Sequence, residues 1–257
     1  MAGGWFAVTN QILWTNSNVA IYGGYEGSGT PGARDPATWP SVFARPSPAT
    51  TNRIFFIADV QNGVLSGITV TNGLAWWNVI PAHPIASGGG LFLTNCANMV
   101  FEACRFMFNT GYDAVANGGD IYGGAIYALN SSLTVTNCQI VSNKATSVDT
   151  TNIQYGNGGG IAGSGGSLRL VDCWIQGNVA DGDFLHGVNK GGGLYLNCQA
   201  DIRRCLLVGN DSIKWAWSDI SRGDAAFVGT SGDVVFENCL IADNHGADIG
   251  IGIWQEG

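Results

Sequence analysis

The residues equipped for chemistry crowd into a few polar segments of this 257-residue chain. "VADGDFLHGVNK" (179–190) carries Asp181, Asp183, His186 and Lys190. Two carboxylates can act as acid and base on a glycosidic bond when set about 5–9.5 Å apart, and an acidic loop can hold Ca²⁺. The plainer reading makes Asp181 and Asp183 solvated turn residues. His186, a lone loop histidine, is more often surface decoration than a general base. "DSIKWAWSDISR" (211–222) carries Asp211, Lys214, Trp215, Trp217 and Asp219, and "LAWWNVIPAHP" (74–84) adds Trp76, Trp77 and His83. Strand-like spacing puts Trp215 and Trp217 on one face, where exposed rings can stack on sugars; the alternative is that loop tryptophans fold back as small local cores.

Composition narrows the chemistry. The net charge is −8, and the eleven Lys and Arg are dispersed, so nucleic acid is not an expected partner. An acidic surface also repels anionic polymers, which counts against a polyuronate lyase. The seven cysteines form no CxxC and no Cys/His set at metal-ligand spacing, so no cofactor is expected beyond Ca²⁺ at 179–190. No apolar run of about 18 residues suggests a membrane span. The opening "MAGGWFAVTN" has no charged leader followed by a long apolar stretch, so it does not read as a signal peptide.

The elements that position these segments come from a repeat. Cys104, Cys138, Cys173, Cys205 and Cys239 follow one another at steps of 34, 35, 32 and 34 residues, and each precedes an asparagine (109, 143, 178, 210, 244) by five. A Gly-rich lead-in runs in phase: "SGGGLFL", "YGGAIYA", "NGGGIAG", "KGGGLYL" and "RGDAAFV", the last breaking the glycine pair. "VLSGITVTN", ending at Asn72, is a weaker copy, and "NVAIYGGYEG" reads as an earlier turn. Positions −5, −3 and +2 from each cysteine are apolar in every copy, and the phase slips by one between −3 and the cysteine. That slip requires a bend, and Asn137, Asp172 and Asn238 tolerate left-handed backbone there. Strand–bend–strand units without helical periodicity predict an all-β, right-handed parallel β-helix of about seven coils, 32–35 residues each, with long loops on one side. A propeller blade of this length should show tight two-residue hairpin turns instead.

In such a coil equivalent residues lie about 4.8 Å apart. The register then pairs Arg169 with Asp201, Asp172 with Arg204 and Arg203 with Glu237, all of opposite sign. The cysteines become a buried column of free thiols, with Cys96 and Cys198 at another turn. The asparagines, with Asn72 as a sixth member, become a hydrogen-bonded ladder. Five copies argue for structure, because catalysis needs one constellation.

"GGAI" at 123–126 with "FMFN" at 106–109, and the looser "IVSN", "IQGN", "LVGN" and "IADN", resemble the GGAI/FxxN repeats of chlamydial polymorphic outer-membrane proteins. "IYGGYEGSGTPGARDPATWPSVF" (21–43) is similar to an early stretch of the wider group of secreted bacterial β-helix proteins. The resemblance implies a secreted or surface-displayed chain, here one β-helix domain (1–257) from the middle of a longer protein without its caps. It leads to a non-catalytic adhesin whose loops bind a glycan or host-surface ligand. The alternatives are a polysaccharide lyase or glycoside hydrolase, which the fold also serves, and a structural spacer. Unpaired end strands would permit end-to-end self-association.

Overall fold

The computed structural model describes residues 1–46, 50–76, 86–113, 119–147, 155–182, 188–213, 221–246, 250 and 252–257. Every pairing between strands is parallel, and the strands stack as a β-solenoid of about six turns, one fewer than the repeats suggest. Among the described residues three long sheets run along the axis, beside a two-stranded one of Ile121–Tyr122 and Gly156–Asn157. The first has twelve strands, among them Ile126–Thr136, Ile161–Val171 and Leu194–Arg203. The second has eight, among them Arg105–Met107, Gln139–Val141, Trp174–Gln176 and Leu206–Val208. The third has five: Leu74–Trp76, Thr110–Asp113, Lys144–Ser147, Val179–Asp181 and Asp211–Ser212.

The apolar columns stack in the expected register. Phe101, Val135, Leu170, Ile202 and Phe236 are successive neighbours in the first sheet, as are Phe106, Ile140, Ile175, Leu207 and Ile241 in the second. All but the last member of each column are fully buried. Between the two sheets the residue before each cysteine takes left-handed backbone: Ala103, Asn137, Asp172, Arg204 and Asn238, with φ of 49° to 54°. That conformation suits Asn and Asp and costs an ordinary residue about 1–2 kcal/mol, so Ala103 and Arg204 are held there by the stack. The predicted ion pairs also form: Arg204–Asp172 at 2.7 Å, Arg203–Glu237 at 2.9 Å and Arg169–Asp201 at 3.7 Å. Lying at the surface, they contribute less than about 1 kcal/mol each.

The asparagine column is a ladder along the turn between the second and third sheets. Asn178 shows the pattern. Its Oδ1 accepts the Asn143 backbone N–H at 3.1 Å and the Asn143 side-chain Nδ2 at 2.9 Å. Its own Nδ2 donates to Ile140 O on the preceding rung and to Asn210 Oδ1 on the next. Asn109, Asn143 and Asn210 repeat these bonds, and Asn244 provides the last Oδ1. Asn72 is not a member. It is exposed with φ 57°, and the ladder position belongs to Gly73, whose N–H donates to Asn109 Oδ1 at 2.9 Å. The weaker repeat is out of phase by one because Ile68, not Gly67, stands in the cysteine column.

One further expectation needs correction. The segments after each asparagine do not begin as loops; their first residues are the third sheet. That sheet turns Ala75, Gly111, Ala145, Ala180 and Ser212 inward, all buried. It lies against the Gly-rich lead-ins so closely that a Cβ on Gly159 would sit 2.4 Å from the Val179 backbone. The Arg-Asp-Pro loop is a staple. Arg34 Nε donates to Gly23 O at 2.9 Å, its Nη2 to Ser66 Oγ at 2.7 Å, and the guanidinium lies over Tyr22.

All seven cysteines are free, and all but Cys239 are buried. Cys96 stands at a separate corner, its N–H donating to Ser131 Oγ. Burial raises the Cys96 and Cys239 thiols and pushes Cys198 up to about 11. In native protein a thiol reagent should therefore label Cys239 first and the other six only at the rate of unfolding; equally fast labelling of Cys138 would contradict this packing. Asn178→Ala strands the buried Asn143 backbone N–H and removes the bonds Asn178 Nδ2 makes to Ile140 O and Asn210 Oδ1, and should lower unfolding free energy by about 3 kcal/mol in urea titration, against less than about 1 if the ladder were decorative.

Candidate functional site

The outer face of the third sheet gathers the polar and aromatic groups. Its strands run just after the ladder turn, so their outward residues form two files along the axis. One file is Leu74, Thr110, Lys144, Val179 and Asp211; the other is Trp76, Tyr112, Thr146 and Asp181. Trp76 and Tyr112 are half-buried and meet edge to face, 5.8 Å between centroids. Trp76 Nε1 has no hydrogen-bond partner among the described residues. That indole nitrogen is itself buried, so the pair offers aromatic surface on a rigid sheet, suited to stacking on a sugar ring, rather than a hydrogen-bond donor.

Asp181 is neither a loop residue nor solvated. It lies on the strand Val179–Asp181, nearly buried, with Lys144 Nζ at 2.5 Å and the Thr146 hydroxyl at 3.4 Å. A carboxylate paired in this way fixes Lys144 and is not free to attack a substrate. Asp183, His186, Trp77, Trp215 and Trp217 lie outside the described residues, as do His83, Lys214 and Asp219. Of the proposed set, the structure therefore brings Trp76 and Asp181 onto one face, three rungs apart. Sequence reasoning missed Tyr112 and Lys144, although both occupy the register positions of Trp76 and Leu74 one and two rungs later.

A second acidic group lies at the end of the same sheet. Asp224 occupies the place of the second glycine in the broken lead-in "RGDAAF". It is fully buried, and its Oδ1 accepts from Ser212 N at 2.9 Å and Ser212 Oγ at 2.7 Å. Burial holds the neighbouring Asp211 carboxyl above the usual carboxylate range; His245 opposes this, while Asp224 and Asp181 reinforce it. Among the described residues no three His, Cys, Asp or Glu side chains are placed to hold a metal ion.

On the first sheet the outward residues after each lead-in form an aromatic file: Phe56, Phe92, Tyr127, Ala162, Tyr195 and Phe227. At Ala162 the file has a gap, and Tyr122 fills it, 5.2 Å from Tyr127 and 5.4 Å from Tyr195. Arg53 lies over Phe92 and Lys190 over Phe227. Burial pushes the Tyr127 and Tyr195 hydroxyls up to about 12 and raises Tyr122 further, so none can serve as a base near neutrality. This file is packing, and its signal was present in the motifs: the residue after the lead-in's first large apolar residue is aromatic in four of the five copies. A third feature is a cavity of about 560 Å³ at the N-terminal end, lined by inward side chains such as Ile12, Ile21, Phe43 and Phe55.

No protein-family model, no curated protein and no solved structure matches the chain. The site must be read from its own geometry.

Because folding disfavours ionised Asp211, the stability it contributes is present below the unfolded carboxylate value, about 4, and is lost as pH rises through its higher folded value. Asp211→Asn should therefore melt with the parent at acid pH and above it at pH 7. A variant that is less stable only at neutral pH would reverse the sign and remove the argument.

Proposed function

We propose that this chain is a non-catalytic β-helix, exported and displayed, whose third-sheet face binds carbohydrate. The Trp76–Tyr112 pair carries the reading. Two aromatic side chains on adjacent rungs, with the Lys144 ammonium further along the axis held by the buried Asp181, give a stacking platform with one cationic group beside it. Binding through a scaffold-mounted stripe needs no reorganisation of the backbone, which limits the entropic cost of association. Export, and kinship with GGAI/FxxN surface proteins, belong to the same proposal through the repeat pattern alone.

A hydrolase reading has one observation in its favour. Burial holds the Asp211 carboxyl above the usual carboxylate range, as a general acid requires, and a second carboxylate, Asp181, lies one rung away in the same sheet. Against it stands the Lys144 ion pair, which occupies Asp181.

A glycan array probed with the parent, Trp76→Ala and Tyr112→Ala should give binding that falls at least tenfold in each variant. Retained binding in both would remove the third sheet as the site. Turnover of a polysaccharide panel, abolished by Asp211→Asn or Asp181→Asn, would replace the binding reading with the enzymatic one.

A further inference from the structure

The outer face of the second sheet carries a groove that none of the preceding argument uses. Its floor and one wall are the outward file Thr69, Arg105, Gln139, Trp174, Leu206 and Leu240, one residue per rung. The facing wall is the left-handed bend, from which Asn137, Asp172 and Arg204 project. Two cavities of about 240 and 280 Å³ lie end to end along it and share Asn137 and Gln139, so they form one trough parallel to the axis.

The side chains in this trough are unusually uncommitted. Arg105 is exposed and makes no hydrogen bond or ion pair among the described residues, whereas Arg169, Arg203 and Arg204 on the neighbouring ridge are all paired. The side-chain amides of Gln139 and Asn137 are likewise without protein partners among the described residues. Trp174 is 42% exposed and is followed by Leu206 at 39% and Leu240 at 55%, so the apolar surface is contiguous over three rungs rather than scattered. Isolated exposed hydrophobics need no explanation, but a contiguous strip beside unpaired polar groups does.

We propose that this groove binds an oligosaccharide that sets a carboxylate-bearing sugar on Arg105 and a neutral ring of the same chain on Trp174. A guanidinium is the side chain best shaped for bidentate recognition of a carboxylate. The indole face suits the apolar face of a pyranose, and Gln139 and Asn137 lie between the two to meet hydroxyls. Arg105 and Trp174 are two rungs apart, roughly 10 Å, a span short enough for adjoining sugar rings.

Other occupants fit less well. A peptide adding as a strand needs a free sheet edge, and this face is the middle of a fully paired sheet. A nucleic acid or a densely charged polyuronate presents an anion at every unit to the single unpaired guanidinium among the described residues of this groove, on a chain of net charge −8. A glycan with sparse carboxylates meets the single guanidinium without that repulsion.

Calorimetric titration of the parent with sialyllactose, a glucuronate-terminated trisaccharide and lactose tests this site. At least one carboxylated probe should bind tenfold or more tighter than lactose. Arg105→Gln should erase that preference, Arg105→Lys should keep part of it, and Trp174→Ala should weaken all binding at least tenfold. Trp76→Ala should leave these affinities unchanged, which separates this groove from the third-sheet face. Both target residues are exposed, and circular dichroism confirms folding of each variant; if Trp174→Ala misfolds, the Arg105 pair decides alone. The proposal is overturned if neither carboxylated probe binds, if lactose binds as tightly, or if Trp76→Ala abolishes binding that Arg105→Gln leaves intact. The last result would still favour the third-sheet reading.

Discussion

One buried side chain per rung fixes the geometry of the rest. From Asn109 to Asn210, each ladder asparagine accepts from the preceding rung through its oxygen and donates to the next through its backbone and side-chain nitrogens, so a rung cannot slide without breaking bonds in both directions. An unpaired buried amide costs about 1–3 kcal/mol, and a register slip would leave several. Apolar columns alone would tolerate slippage, since Phe106, Ile140, Ile175 and Leu207 are interchangeable greasy groups of similar size. The ladder supplies the specificity that their burial lacks, and the ion pairs on the opposite bend agree with it.

With the register fixed, the three faces diverge. The first sheet covers its outward side with stacked aromatic rings, and the hydroxyls buried there stay protonated near neutrality and so cannot act as bases. The third sheet turns its small residues inward, which brings it close to the glycine lead-ins and leaves its larger residues facing out. The second sheet keeps an arginine, two amides and an indole without protein partners among the described residues. Any ligand chemistry in the described part of the molecule therefore falls to the second and third faces, on strands whose spacing the ladder holds constant.

Most of the scaffold was legible in the sequence because it repeats. A cysteine followed by an asparagine at a constant distance, five times, gives the register directly, and the opposite charges at Arg169/Asp201, Asp172/Arg204 and Arg203/Glu237 test it without coordinates. What failed to show has a common cause. The third sheet turns Ala, Gly and Ser inward, so no apolar period marks its strands, and those residues read as loop. Asp181 consequently read as a solvated turn residue when it is a strand residue bonded to Lys144. Asn72 misled for a simpler reason: it lies one position short of the ladder, where glycine replaces the side chain. Site chemistry was less legible than fold because it depends on which outward side chains lack partners, and Arg105 differs from Arg204 only in what stands on the next rung.

Amide hydrogen exchange on the native protein tests the ladder most directly. The backbone N–H groups of Asn109, Asn143, Asn178 and Asn210 each donate to a side-chain oxygen on the following rung at 2.9 to 3.1 Å. They should exchange only through global unfolding, as slowly as the Ile140 and Ile175 amides inside the strands. If those four amides exchange at the rate of exposed turn residues while the strand amides remain protected, the asparagines do not bridge the rungs and the account is wrong.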